Sequence, residues 1–293
     1  MRVRGAPAAT VVALVLALGL IGLRPARAAF EVHKVDEGRF TVEPDKPVFV
    51  LAMGNDGRPG DTVTRGDALH LVGINPGQGR ATILDIPRDT YTAIPGRGRD
   101  KINAAHAGGG AAAQARAVGA LVGVDVSFVV DADFEAFTRM VDEMGGVDVD
   151  VPFAMSDPFS GAFFQPGRVH MDGTSALAFA RNRQIPGGDF RRTENQGLLL
   201  LAGLAQLRSG PHGAADVLKY VSILARHARL DGMSLLDAYR LGRLAASLDP
   251  QNVRNVVMPG AAGNAGGASV VHVGAGADGL FADFRDDAVL QSH

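Results

Sequence analysis

The chain has 293 residues, of which 46% are hydrophobic and 20% are charged, which is enough for one large domain or two small ones. Its formal net charge is −2, so no overall basic field favours nucleic acid, and any anion site has to be a local cluster. The sequence contains no cysteine, which excludes disulfides, thiol catalysis and zinc held by cysteine.

Residues 1–28 have the pattern of an export segment. Two arginines precede an uncharged run from Gly5 to Leu23, and Ala26-Arg27-Ala28 follows as an A-x-A cleavage pattern. The uncharged run is also just long enough to span a bilayer. We therefore predict a signal peptide or a signal anchor, with the rest of the chain outside the cytoplasmic membrane.

Apolar runs and helical periodicity predict an alternation of strands and helices. Residues 29–45 are charged and contain proline, which favours a linker or an edge strand. The predicted strands are 47–54, 68–74, 81–86, 124–130, 147–151, 253–258 and 269–273. The predicted helices are 104–121, 133–144, 172–180, 189–207, 214–229, 234–248 and a last one around 280–284. This order predicts one α/β domain over residues 46–290, with a mixed sheet covered on both faces.

The most basic stretch of the chain begins at Arg181-Asn182-Arg183, whose two arginines project to the same side if the backbone is extended. Gly187-Gly188 then permits a sharp turn, and Asp189 suits a helix N-cap. Arg192 and Gln196 are four residues apart and share one helical face. Guanidinium groups at a helix N-terminus suit a phosphate or pyrophosphate, whereas the competing interpretation is a solvated basic helix start with surface ion pairs.

Further polar groups flank the predicted strands, where ligands of open α/β sheets bind. These groups are Gly54 to Arg58, Arg65 to Asp67, Ile86 to Asp89 and Lys101 to Asn103. The carboxylates of Asp56 and Asp67 can share a Mg²⁺ ion, which binds through one or two carboxylates together with substrate phosphates. Asp before Gly is also common in turns, and Arg88 with Asp89 can simply be an exposed ion pair.

Other motifs in the sequence do not indicate a functional site. Residues 274–279 match G-x-G-x-x-G, but the chain ends before the acidic residue that a dinucleotide fold needs. The eight histidines show no metal-ligand spacing, so a zinc site is not expected. Several phenylalanines can line an apolar groove or simply form core: Phe128, Phe134, Phe137, Phe153, Phe159, Phe163 and Phe164.

In their order and spacing these motifs resemble the LytR–CpsA–Psr proteins of bacterial cell envelopes, from about residue 48 to residue 206. The segments that support the resemblance are Gly54 to Arg58, Arg65 to Asp67, Ile86 to Tyr91, Asp100 to Ala105, Val130 to Phe134, Gly145 to Val149, Ala176 to Arg183 and Gly188 to Gln196. The chain departs from the family pattern at Asn55, His106, Arg191 and Asn195.

The resemblance implies a three-layer α/β/α fold with a central mixed sheet and an apolar lipid groove. It implies a phosphotransferase that moves a glycopolymer, with its linking phosphate, from a polyprenyl-pyrophosphate carrier to a muramic acid hydroxyl of peptidoglycan, assisted by Mg²⁺ or Mn²⁺. By motif position, Asp56 and Asp67 resemble the metal-binding carboxylates, and Arg88 resembles the residue most needed for transfer. The residues that resemble pyrophosphate ligands are Arg65, Arg88, Lys101, Arg181, Arg183, Arg192 and Gln196.

Two other functions use the same features. A polyprenyl pyrophosphatase would replace the sugar hydroxyl by water, and a lipid-binding envelope regulator would need no turnover. In each case we expect a cell-envelope protein on the outer face of the cytoplasmic membrane, either anchored by its N-terminal segment or secreted after cleavage. If the reaction needs a base for the acceptor hydroxyl, Asp56 and Asp67 are the candidates.

Overall fold

The computed structural model describes residues 30–35, 40–57, 64–208 and 228–291. The described strands are β1 (Phe30–Lys34), β2 (Val48–Asn55), β3 (Gly66–Asn75), β4 (Arg80–Asp85), β5 (Tyr91–Ile94), β6 (Gly98–Lys101), β7 (Phe128–Ala132), β8 (Val147–Val151), β9 (Met155–Asp157), β10 (Ala162–Phe164), β11 (Gly167–Met171), β12 (Ala228–Asp231), β13 (Val253–Val257), β14 (Gly260–Ala265) and β15 (Ala268–Val273). The described helices are α1 (Ala104–Val122), α2 (Phe134–Met144), α3 (Gly173–Arg181), α4 (Gly188–Arg208), α5 (Leu235–Ser247) and α6 (Ala277–Asp287).

A seven-stranded mixed sheet forms the centre, in the order β12-β1-β7-β2-β3-β4-β13. Side chains of a strand alternate between the two faces of a sheet, and β3 shows how this divides the core. Leu69 and Leu71 pack with residues of α1 and α6, whereas Val72 and Ile74 belong to a second core on the other side. The sheet is therefore covered on both faces, which confirms the predicted three-layer α/β/α architecture.

Two aspartates cap the N-termini of α2 and α3, two helices that lie beside the sheet. The Asp133 carboxylate accepts a hydrogen bond from the Ala136 amide (2.8 Å) at the start of α2, and Asp172 does the same for Ser175 (2.8 Å) at the start of α3. α2 contacts α3, and α3 contacts α4, so the three helices form one layer. This layer builds a third apolar core around Val141, Phe179 and their neighbours.

Residues 30–34, which we placed in a linker or an edge strand, form an inner strand of the sheet. β1 pairs with β7 on one side and with β12 on the other, and Phe30 and Val32 are buried. Phe40, also in the predicted linker, packs edge-on against Phe128 with 4.7 Å between ring centroids. The linker prediction is wrong here because the apolar residues Phe30 and Val32 alternate with charged ones over only a few positions. Such a short pattern does not indicate a strand until the pairing with β7 and β12 is known.

Three sequence predictions concern residues outside the described ranges. Residues 1–28, the predicted export segment, and residues 214–227 of a predicted helix are among them, as is Arg58. Residues 228–229, predicted as the end of that helix, belong to β12 instead. Within the described ranges, no helix combines the length and apolarity needed to cross a bilayer.

Candidate functional site

A cavity of about 880 Å³ lies between the sheet and the layer of α2, α3 and α4. Seven of the nine predicted site residues line it: Asp56, Asp67, Arg88, Arg181, Arg183, Arg192 and Gln196. They come from the ends of β2 and β3, the segment after β4, the end of α3 and the first turns of α4. The fold thus brings together residues that are more than a hundred positions apart in the sequence.

The other end of the cavity is apolar, and we call it the apolar slot. Its floor on the sheet is formed by Ala52, Val130 and Ala132. Its walls come from α2 and α4 and consist of Phe134, Phe137, Met140, Val141, Leu199, Leu200 and Gly203. Of the phenylalanines proposed for a groove, Phe134, Phe137 and Phe159 line the cavity, whereas Phe128 is fully buried in the core.

Four arginines, Arg88, Arg181, Arg183 and Arg192, form what we call the basic corner. Arg192 is only 5% exposed, and its Nη2 lies 2.9 Å from Oδ1 of Asp189, which also lies 3.3 Å from Nη2 of Arg183. Burial lowers the pKa of the Arg192 guanidinium to about 10, with Asp189 opposing this effect and Arg183 adding to it. Arg192 is still a cation at neutral pH, in a place where water screens it little.

Asp189 is not the N-cap that the sequence predicted. α4 already includes Gly188, and the turn before it uses Gly187 (φ 94°) and Gly188 (φ 52°), whose left-handed backbone conformations favour glycine. Asp189 therefore lies in the first turn, where its carboxylate contacts Arg183 and Arg192. The result is a carboxylate that holds two arginines of the basic corner together.

Two side chains at the junction of the basic corner and the slot are fixed by neighbours. The Arg181 guanidinium lies 5.2 Å from the ring centroid of Phe134, a cation–π contact at the end of α3. Gln196 donates a hydrogen bond to the carbonyl of Ala180 (3.0 Å), which ties α4 to α3. The predicted shared face of Arg192 and Gln196 is confirmed, since both line the cavity.

Several polar atoms of this region are buried without a hydrogen-bond partner in the described structure. They are Nε of Arg88, Nε of Arg192, Oδ2 of Asp189 and Oε1 of Gln196. Buried polar groups are nearly always paired, so unpaired guanidinium N–H groups beside a cavity indicate that an external acceptor completes them. Phosphate oxygens have the charge and geometry for this role.

Two predicted ligands are not brought to the cavity. The side chain of Arg65 is exposed, and this residue contributes instead through its backbone amide, which donates to Oδ1 of Asp56 (2.8 Å). Lys101, on β6, pairs with Asp89 (3.1 Å). Arg65 and Lys101 thus contact the aspartates Asp56 and Asp89, and neither of their side chains lines the cavity.

The carboxylates of Asp56 and Asp67 both line the cavity. One oxygen of each is engaged: Oδ1 of Asp56 by Arg65, and Oδ1 of Asp67 by Arg88 at 2.5 Å. The described residues contain no group of three acidic or histidine side chains that could hold an ion alone. The donor set therefore fits Mg²⁺ only as a partial site, which leaves room for phosphate oxygens as ligands.

A buried network beside Asp56 was missed by the sequence analysis. Asp131 of β7 accepts from Nδ2 of Asn55 (2.7 Å) and lies 3.0 Å from Nε2 of His106, whose Nδ1 lies 2.9 Å from the carbonyl of Thr64. Asn55 and His106 are two of the four departures from the family pattern. Their joint occurrence was the one feature of the sequence that could have indicated a contact between these two positions. The network holds Asn55, directly before Asp56, and Thr64, directly before Arg65.

These features define an α/β/α protein whose cavity joins a cluster of cations to an apolar slot. The chain matches the LytR_cpsA_psr family over residues 25–275, and it belongs to that family.

Relatives and solved structures agree with this assignment. The chain is 40% identical, over 159 residues, to the polyisoprenyl-teichoic acid–peptidoglycan teichoic acid transferase TagU of Bacillus cereus, a match that covers 53% of this chain and 51% of TagU. It thus spans about half the length of the curated relatives that it matches. Its fold is similar to TagV of B. subtilis, with a TM-score of 0.73 at 24% identity, covering 85% of this chain and 99% of TagV. It is also similar to YwtF (TagT), solved with bound octaprenyl pyrophosphate lipid, with a TM-score of 0.65 at 26% identity over 87% of this chain and 97% of that one.

Proposed function

We propose that this protein transfers a glycopolymer, with its linking phosphate, from a polyprenyl-pyrophosphate carrier to a muramic acid hydroxyl of peptidoglycan. We also propose that it works at the outer face of the cytoplasmic membrane, either anchored by its N-terminal segment or secreted after cleavage. The carrier joins a diphosphate to a long apolar chain, and the acceptor is a hydroxyl of the cell wall.

One observation supports this function most strongly. A single cavity contains both the basic corner and the apolar slot, so a ligand with a diphosphate head and a prenyl tail can satisfy both at once. Burial of the tail against the slot contributes roughly 25 cal/mol per Å² of apolar surface. The names of TagU and of the lipid-bound TagT structure describe proteins with the same chemistry of ligand.

The chemical step needs the charge on the phosphates to be neutralised where it develops. The acceptor oxygen forms a bond to the phosphorus that carries the glycopolymer, and the bond from that phosphorus to the bridging oxygen breaks. The electron pair stays on the polyprenyl phosphate that leaves. Arg88, Arg181, Arg183 and Arg192 can bind the phosphate oxygens in this state, and fixed cations in a dry site are more effective than water.

Asp56 and Asp67 are the residues that would hold Mg²⁺, and an ion bound there supplies further positive charge to the phosphates. Arg88 shares Oδ1 of Asp67, so it is held next to the phosphates that we place there. Burial lowers the pKa of the Arg88 guanidinium, but Asp67, Asp189 and Asp89 together outweigh this, so that its pKa lies above the usual value. The proton of the acceptor hydroxyl passes to Asp56 or Asp67, the carboxylates that line the cavity.

The decisive experiment gives the full-length protein a polyprenyl-pyrophosphate-linked oligosaccharide, Mg²⁺ and peptidoglycan fragments. We expect a phosphodiester between the sugar and muramic acid, detected by mass spectrometry, and equal amounts of polyprenyl phosphate. Omission of peptidoglycan tests for hydrolysis. If free sugar phosphate forms equally fast with and without the acceptor, the protein is a pyrophosphatase; if neither product forms, it is a lipid-binding protein without turnover.

A further inference from the structure

His70 and Asp85 form a buried pair that the transfer mechanism above does not use. Nδ1 of His70 lies 2.5 Å from Oδ1 of Asp85, His70 is 3% exposed and Asp85 is fully buried. The antiparallel register of β3 and β4 places the two residues opposite each other. Burying such a pair costs free energy that apolar side chains would not cost. The neighbouring positions Val72 and Ile83 on this face are apolar, and Asn255 of β13 is a further polar side chain close to Asp85.

His70 also lines the cavity, and its Nε2 atom is buried with no hydrogen-bond partner in the described structure. Asp85 occupies the β4 side of the imidazole, so Nε2, on the opposite side of the ring, faces toward β2. There Ala52 is paired with His70 and forms part of the cavity floor. Of the described residues of the central seven-stranded sheet that line the cavity, only Asp67 and His70 have polar side chains.

The position of His70 along β3 relates it to both ends of the cavity. It lies three residues beyond Asp67, which corresponds to roughly 10 Å along a strand. Asp67 is at the basic corner, and the floor residues beside His70 belong to the apolar slot. A diphosphate bound at the corner with its tail in the slot would therefore have its lipid-side phosphate nearest to His70.

Burial also favours one protonation state of the pair. If Asp85 is ionised and His70 is neutral, the pair buries a net negative charge. Protonation of Asp85 makes the pair neutral: the carboxylic acid then donates to Nδ1 of the imidazole, and the imidazole hydrogen is on Nε2. A low-dielectric interior favours the neutral pair. In agreement, burial raises the pKa of Asp85, and the adjacent His70 opposes this only in part.

We propose that His70 is a further substrate-binding residue, which donates a hydrogen bond from Nε2 to an oxygen of the lipid-side phosphate, with Asp85 as its positioning residue. This inference rests on the proposed function. When the bond to the bridging oxygen breaks, the electron pair remains on the lipid-side phosphate, and the Nε2–H group stabilises the added charge. No proton leaves His70 in this step, and the acceptor proton still goes to Asp56 or Asp67.

The test compares two probes with the same tail, octaprenyl phosphate and the alcohol octaprenol, in binding titrations with the full-length protein. For His70→Leu we expect octaprenyl phosphate to bind about 10- to 100-fold more weakly, the usual range for a hydrogen bond to a charged group, with octaprenol unchanged. Val130→Ala, a change in the apolar floor, is the matched control and should weaken both probes by the same factor. Equal effects of His70→Leu on both probes would overturn the inference.

A second measurement does not depend on a variant that folds. In wild-type protein with ¹⁵N-labelled histidine, Nε2 of His70 should have the chemical shift of a protonated nitrogen, and this shift should move with octaprenyl phosphate but not with octaprenol. An unprotonated Nε2, or identical responses to both probes, would contradict the proposal. If wild-type protein binds neither probe, the proposed function fails as well; if it prefers the phosphate and His70→Leu keeps that preference, only this inference fails.

Discussion

Nη1 of Arg88 lies 2.5 Å from Oδ1 of Asp67, so the arginine expected to matter most for transfer is held by a proposed metal ligand. The two side chains come from the start of β3 and from the segment after β4, and both line the cavity. A phosphate bound by Arg88 and a cation bound by Asp67 would each give its partner a further neighbour of opposite charge. The ion pair is therefore a pre-assembled part of the site rather than a surface contact.

Arg88→Ala should lower kcat/KM for glycopolymer transfer by about 10²-fold or more, the usual effect of removing one preorganised donor from charge stabilisation. Arg88→Lys should restore only part of this, because an ammonium group cannot bind two phosphate oxygens in a planar fork. Arg139→Ala, which removes an exposed arginine paired with Glu135, is the control and should have the wild-type rate. A folded Arg88→Ala protein that keeps full activity in the transfer assay would show that Arg88 has no catalytic role.

Removal of one carboxylate should change the dependence on metal more than the maximal rate. Because Mg²⁺ retains phosphate ligands, Asp56→Asn and Asp67→Asn should each raise the Mg²⁺ concentration for half-maximal activity about 10-fold or more. Chelation with EDTA should stop transfer by the wild-type protein, and added Mg²⁺ or Mn²⁺ should restore it. Asp150→Asn, an exposed aspartate on β8, is the control. Full activity after EDTA treatment would contradict metal assistance.

Arg181→Ala and Arg192→Ala should each abolish measurable transfer while the protein stays folded. Arg192 is buried beside the cavity, where its charge is weakly screened, and Arg181 joins the basic corner to the slot through Phe134. Thermal unfolding monitored by circular dichroism checks the fold. Arg168→Ala removes an arginine whose side chain is 73% exposed, and its rate should be unchanged. Wild-type rates for both variants would place the anion site elsewhere.

Local spacing was enough to predict part of the site. Arg192 and Gln196 are four residues apart on a helix, so their common face followed from helical geometry, and both do line the cavity. The burial of the Arg192 side chain could not be predicted from the sequence, because it depends on how α4 packs against the other helices. The contact between His106 and Asp131 depends on how α1 packs beside the parallel pairing of β2 and β7, which local patterns do not encode.

The His106–Asp131 contact predicts a specific dependence of stability on pH. Burial lowers the pKa of His106, but its hydrogen bonds to Asp131 and Thr64, together with the negative charges of Asp131 and Asp56, outweigh this and raise the pKa above 6.5. The stabilisation by the charged imidazole is therefore complete below pH 6.5 and is lost as the pH rises through the folded-state pKa. The free energy of unfolding, measured with urea, should change with pH differently in wild type and His106→Gln. The two slopes should differ most in that window, by at most about 1.4 kcal/mol per pH unit for one proton. Parallel pH profiles for the two proteins would contradict this assignment.

Gly203 provides a test of the apolar slot that does not touch the basic corner. It lines the cavity in the middle of α4, and a Cβ atom built there meets no other atom within 4 Å. Gly203→Leu should stabilise α4 by up to about 1 kcal/mol, since glycine is a poor helix former. The new side chain should displace part of a prenyl tail and weaken octaprenyl pyrophosphate binding about 10- to 100-fold, at about 0.8 kcal/mol per displaced CH₂ group.

The matched control for this change is Gly279→Leu. Gly279 is an exposed glycine of α6 whose Cβ position is equally open, and it does not line the cavity. It should leave the affinity for octaprenyl pyrophosphate unchanged, and neither variant should alter the affinity for inorganic pyrophosphate, which lacks a tail. Calorimetric titration of the three proteins with both ligands makes the comparison. If Gly203→Leu binds octaprenyl pyrophosphate as tightly as Gly279→Leu does, the tail does not enter the slot, and the lipid must leave the basic corner in another direction.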